Sequence, residues 1–105
     1  MHHRSMVTLH IEHPISDYAT WRTAFDRLAV TRHEAGVIDQ RVARPIHDTC
    51  YIVVDLDFDS VELATSFLRF LETKVWTSPT SAPALVGRPR TTILESAPPM
   101  VTDAR

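Results

Sequence analysis

The chain is 105 residues long, enough for one domain whose core needs no metal or disulfide staple. It is 44% hydrophobic and 23% charged, and its formal net charge of −2 gives no electrostatic basis for binding nucleic acid or an anionic membrane. Cys50 is the single cysteine, which excludes an internal disulfide, and no apolar run approaches the roughly 20 residues needed to span a bilayer.

Residues 1–6 lack the apolar core of a signal peptide and read as a disordered or start-site remnant, so the cytoplasm is the expected address. Ten of the eleven basic residues are Arg and only Lys74 is Lys, which a codon bias accounts for as readily as an Arg-dependent site. Val7 to Glu12 alternates strictly, with Val7, Leu9 and Ile11 on one face and Thr8, His10 and Glu12 on the other. His13-Pro14 is expected to end this strand, because proline cannot donate to the ladder. Ser16 or Asp17 then caps a helix running to about Ala35, with Tyr18, Trp21, Phe25, Leu28 and Arg32 on one stripe. Gly36 stands where a left-handed glycine stops a helix.

Val37 to Arg44 reads as a second strand, Pro45 to Asp48 as a hairpin loop, and Thr49 to Leu56 as a third, central strand. Asp59 to Glu62 has capping-box spacing and opens a second helix with Leu63, Ala64, Phe67, Leu68, Leu71 and Val75 on its apolar face. A long loop from Thr77 carries Pro79, Pro83 and Pro89. Loops of that length are often functional or interface-forming. Arg90 to Glu95 is the fourth strand, and residues 97–105 form a tail.

The order β-α-β-β-α-β fits the split βαβ, ferredoxin-like plan: an α+β protomer, residues 7–96, with a four-stranded antiparallel sheet. Its two helices cover one face of the sheet. Val7, Leu9 and Ile11 join Ile52, Val54 and Leu56 beneath them, and a one-residue slip would invert that layer. Thr8, His10, Glu12, Tyr51, Val53 and Asp55 share the other face, with Ile38 or Val42 expected beside them. A surface this mixed is most simply covered by a second copy of itself.

Tyr18-x-x-Trp21-x-x-x-Phe25 in the first helix, Asp57-Phe58-Asp59-Ser60 before the second, and Trp76 followed by Gly87-x-Pro89 before the last strand carry a resemblance. The chain resembles the dimeric α+β-barrel superfamily, which includes antibiotic-biosynthesis-type monooxygenases, aromatic polyketide cyclases and haem-degrading enzymes. The resemblance implies a homodimer in which two sheets face each other, with ligands between each sheet and its helices or inside the barrel. It implies binding or transformation of an apolar, aromatic or polyketide-like molecule, by cofactor-free monooxygenation or proton-transfer cyclisation. The alternative is a non-catalytic dimerising module whose barrel interior is filled by side chains. The chain contains no Asn, so the Asn-with-His or Asn-with-Trp constellation of several relatives is not carried over.

His10 is the leading catalytic candidate, because Glu12 or Asp55 beside it could orient its imidazole as a general base. The competing role is a hydrogen-bonded structural histidine at the dimer interface. Tyr51 could hydrogen-bond a phenolic or carbonyl substrate, with Asp55 assisting, although packing is its plainer role. Thr8, Glu12, Val53 and Trp76 complete the expected pocket, Trp76 capping its mouth. Trp21, Phe25, Phe67 and Phe70 read as core.

His10 and His13, three apart on a strand, point to opposite faces, so no two-His metal site is expected. His33 and His47 are placed at the surface. Arg41 and Arg44 are candidates for clamping an anion. Cys50 is expected to be a buried, inert thiol. No metal, cofactor, nucleic-acid partner or membrane is expected.

Overall fold

The computed structural model describes residues 6–97, so the expected N-terminal remnant apart from Met6, and the expected tail beyond Ala97, lie outside the described residues. Strands β1 (Val7–Pro14), β2 (Asp39–Ala43), β3 (Tyr51–Phe58) and β4 (Arg90–Glu95) are joined by helices α1 (Tyr18–Arg27), α2 (Ala29–Glu34) and α3 (Val61–Phe70). A π turn, Leu71–Val75, extends α3. The sheet order is β2-β3-β1-β4 with every neighbouring pair antiparallel. This is the ferredoxin-like α+β plan. Among the described residues no helix is long and apolar enough to cross a membrane.

The alternation read from the sequence sets the register of the central pair. Leu9 lies opposite Leu56 and Ile11 opposite Val54, and these side chains are buried under the helices. Phe58, Leu9, Ile52 and Leu56 are the largest fully buried side chains. Each stabilises the fold by roughly 1.5–3 kcal/mol.

β1 runs through His13 and Pro14 rather than ending before them. The Ile15 amide bonds Cys50 O on the β3 side, and Pro14 O accepts from the Val86 amide on the opposite side. The missing Pro14 N–H therefore faces the β4 side of the strand. There the ladder has already stopped, at the Glu12–Arg90 pair. The proline leaves no broken rung.

The first helical region is two helices, not one. Asp17 caps α1, accepting from the Thr20 amide at 2.8 Å. The helix breaks at Leu28, where the Arg32 guanidinium donates to Phe25 O at 2.6 Å. Phe25 O accepts from Arg32 and also from the Leu28 amide at 3.1 Å, a tighter turn than the i−4 bond of an unbroken α-helix. α2 ends at a Schellman motif: the Gly36 amide bonds His33 O, the Val37 amide bonds Arg32 O, and Gly36 has φ 102°.

Ser60, not Asp59, caps α3, accepting from the Leu63 amide at 3.1 Å. β3 begins at Tyr51 and runs two residues past Leu56. Val42 and Gln40 point under the helices, opposite Val54 and Leu56, so Arg41 and not Val42 neighbours the His10 face. Ile38 precedes β2 and is exposed. Cys50 is exposed, because it sits in the turn ahead of β3 and not within the strand.

Candidate functional site

Two different environments flank the sheet. On the face away from the helices, His10 pairs across with Asp55, Glu12 with Val53 and Thr8 with Asp57. His10 Nδ1 meets Asp55 Oδ1 at 2.7 Å, and its Nε2 meets Glu12 Oε2 at 2.8 Å. The Tyr51 hydroxyl donates to Glu12 Oε1 at 2.6 Å. Beside this chain, Arg41 donates to both Asp57 oxygens at 2.9 and 3.1 Å, and Thr8 donates to Asp57 at 2.7 Å. Arg44 instead stacks over the Tyr18 ring, 4.6 Å from its centroid.

Hydrogen bonds from Glu12 and then Asp55 raise the His10 pKa above the ordinary histidine value. Both ring nitrogens lie against carboxylate oxygens, so neither is open to take a proton from a ligand. Glu12 is held below the usual carboxylate range by Tyr51 first and His10 second, and Asp57 by Arg41 first and Thr8 with it. Replacing Asp57 with alanine is expected to cost about 1–2 kcal/mol in urea unfolding, since Arg41 is half exposed and regains water. A change under a few tenths would mean the pair contributes nothing.

The second environment lies between the sheet and the helices. It is a cavity of about 80 Å³ lined by Trp21, Phe25, Phe67 and Trp76, and among its lining residues are His13 and Arg32, two of the three buried polar side chains among the described residues. Trp21 stacks on Phe25 with ring centroids 4.7 Å apart. The π turn sets Trp76 here: its amide bonds Leu71 O at 2.8 Å, one residue further back than an α-helix would use. Trp76 and Leu85 also line an outer groove of about 680 Å³, shared with Arg88, Pro89 and Thr91. The cavity is smaller than the ~150 Å³ space known to admit benzene in an engineered core. Trp76 is a wall shared by the cavity and the groove, so the cavity would hold a ring only with Trp76 displaced toward the groove.

His13 is 4% exposed. Its Nδ1 lies 2.8 Å from Pro14 O, and a carbonyl only accepts, so the hydrogen is on Nδ1. Burial pushes its pKa below the ordinary histidine value. The ring is therefore neutral, and Nε2 is left with its lone pair and no partner among the described residues.

The two histidines make opposite pH predictions. His10, raised, adds stability that is complete below about pH 6.5 and disappears as pH climbs through its folded value. His13, lowered, makes the folded chain refuse a proton the unfolded chain accepts, so stability falls as pH drops below about 6.5. Urea midpoints measured across pH should lose their alkaline slope in His10→Gln and their acid slope in His13→Gln. Unchanged slopes in both variants would contradict these assignments.

Thr8, His10, Glu12, Tyr51, Val53 and Asp55 thus share one face, as the alternation required. Trp76 lies with the cavity on the other side of the sheet, because α3 and its π turn belong to the helix layer. His13 lines the cavity and is not among the residues the sequence offered for a site. The signal was present: it continues the buried series Val7, Leu9, Ile11 as the one titratable member.

A monooxygenase from the gene ActVA-Orf6 of Streptomyces coelicolor, solved with the ligand nanaomycin D, superposes with a TM-score of 0.63 at 16% identity, over 95% of each chain. An antibiotic-biosynthesis-monooxygenase-type protein from Bordetella bronchiseptica superposes with a TM-score of 0.69 at 12% identity, covering 89% of this chain and 98% of that one. The chain has their fold. A dimeric ferredoxin-like protein from an uncultured marine organism gives a TM-score of 0.60 at 8% identity, covering 91% of this chain and 99% of that one. No protein-family model and no curated protein sequence matches the chain.

Proposed function

We propose that this protein is a homodimeric enzyme that binds a small aromatic compound bearing a hydroxyl group in the cavity under its helices, with His13 as the base. The observation that carries the reading is the neutral His13 ring, nine-tenths buried among aromatic side chains, with Nε2 unpartnered. Its chemical step is proton transfer: the ligand O–H bond breaks, an N–H bond forms at Nε2, and an aryl oxide is left facing an imidazolium. Such an oxide is the activated form for cofactor-free oxygenation, with dioxygen as co-substrate, or for cyclisation. The monooxygenases that share the fold support this class.

His10, Tyr51 and Asp55 take the other role open to them. They form a polar anchor on the face that meets a second copy, with Thr8, Glu12 and Val53 around them. The dimeric ferredoxin-like neighbour supports that pairing. A non-catalytic module is the second reading, favoured by the closed network on the His10 face, which leaves no free donor or acceptor on its histidine for a ligand.

Titration with phenol, followed by the indole resonances of Trp21 and Trp76, separates the two. Phenol should shift both indoles in the wild type, toluene should bind more weakly, and His13→Gln should remove the difference. If no aromatic probe moves either indole at millimolar concentration, the module reading stands. Sedimentation equilibrium should give twice the 11.9 kDa chain mass; a protomer at micromolar concentration would overturn the dimer.

A further inference from the structure

We propose that the occupant of the cavity is a single-ring aromatic hydroxy acid, its carboxylate paired with Arg32 and its hydroxyl presented to His13. The proposal rests on the reading above and extends it to the second buried polar group. Arg32 is 4% exposed and lines the same cavity. Its Nε donates to Gln40 Oε1 at 2.9 Å, one terminal nitrogen donates to Phe25 O at 2.6 Å, and the guanidinium lies 3.6 Å from the Phe25 ring centroid.

The other terminal nitrogen has no hydrogen-bond partner, and no carboxylate reaches salt-bridge distance, among the described residues. Asp26 acts on Arg32 only from beyond that distance, and Arg22 opposes it. A carbonyl and a ring face offset part of a buried positive charge. A carboxylate completes it with a charge-assisted bond.

Both groups line the same cavity, His13 from β1 and Arg32 from α2, with Trp21, Phe25 and Phe67 between the layers. A cavity of about 80 Å³ asks the least displacement of Trp76 from the smallest aromatic acid that carries both groups, a single ring.

Isothermal titration of the full chain with 4-hydroxybenzoate, 4-hydroxybenzamide, benzoate and phenol tests this. The acid should bind the wild type about tenfold more tightly than its amide. That advantage should vanish in Arg32→Met, and 4-hydroxybenzoate should lose its advantage over benzoate in His13→Gln. Equal affinity for acid and amide in the wild type would overturn the carboxylate assignment while phenol binding keeps the parent reading alive. An acid preference that survives Arg32→Met would remove Arg32 from the role. Failure of all four probes would overturn both. Should Arg32→Met not fold, the acid-to-amide ratio of the wild type decides alone.

Discussion

Truncating Phe58 to alanine is expected to lower unfolding stability by about 3–5 kcal/mol, read as a fall in the urea midpoint with the slope unchanged. Phe58 is wholly inaccessible, closes the end of β3 opposite Val7, and meets Phe67 with ring centroids 5.9 Å apart. Its removal costs the transfer free energy of the ring and also leaves a void, because the strand backbone on one side and α3 on the other are both fixed. Native domains hold only about 5–15 kcal/mol in total. The variant should therefore be marginal at ordinary temperature. A loss below about 1.5 kcal/mol would mean that α3 can settle onto the sheet.

Gly36→Val is expected to cost about 2–3 kcal/mol in the same measurement. Gly36 has φ 102°, a conformation a β-branched residue scarcely adopts, and an added Cβ would stand 3.3 Å from Leu63 Cδ1. The Schellman bonds to His33 and Arg32 hold the backbone in that conformation. Gly87→Ala is the internal control. It shares a positive φ of 71° but has nothing within 4 Å of the new atom, so its cost should be about 1 kcal/mol. Equal losses at the two positions would show that Leu63 moves aside freely.

Most of the sheet was legible because period-two alternation fixes face and register together. β1 and β3 pair as adjacent antiparallel strands, and β4 spans the expected residues. What escaped the sequence depends on contacts between distant residues. The break at Leu28 is bridged by Arg32 turning back to Phe25 O, a contact that no helical propensity encodes. Ser60 and Asp59 are both capping residues, and only the chain path leaving Phe58 selects the serine. Trp76 falls under the helices through one extra residue in a turn. The histidines show the same division. Alternation put His10 and His13 on opposite faces, as observed, while the engagement of both His10 nitrogens by Asp55 and Glu12 depends on side-chain geometry that alternation does not carry.

Pro14 has a consequence at the outer groove. With no amide to offer toward the last strand, it meets the incoming segment through its carbonyl alone: the Val86 amide bonds Pro14 O, and the ladder resumes only at Arg90, opposite Glu12. Gly87, Arg88 and Pro89, tethered to β1 at both ends of that gap, line the outer groove.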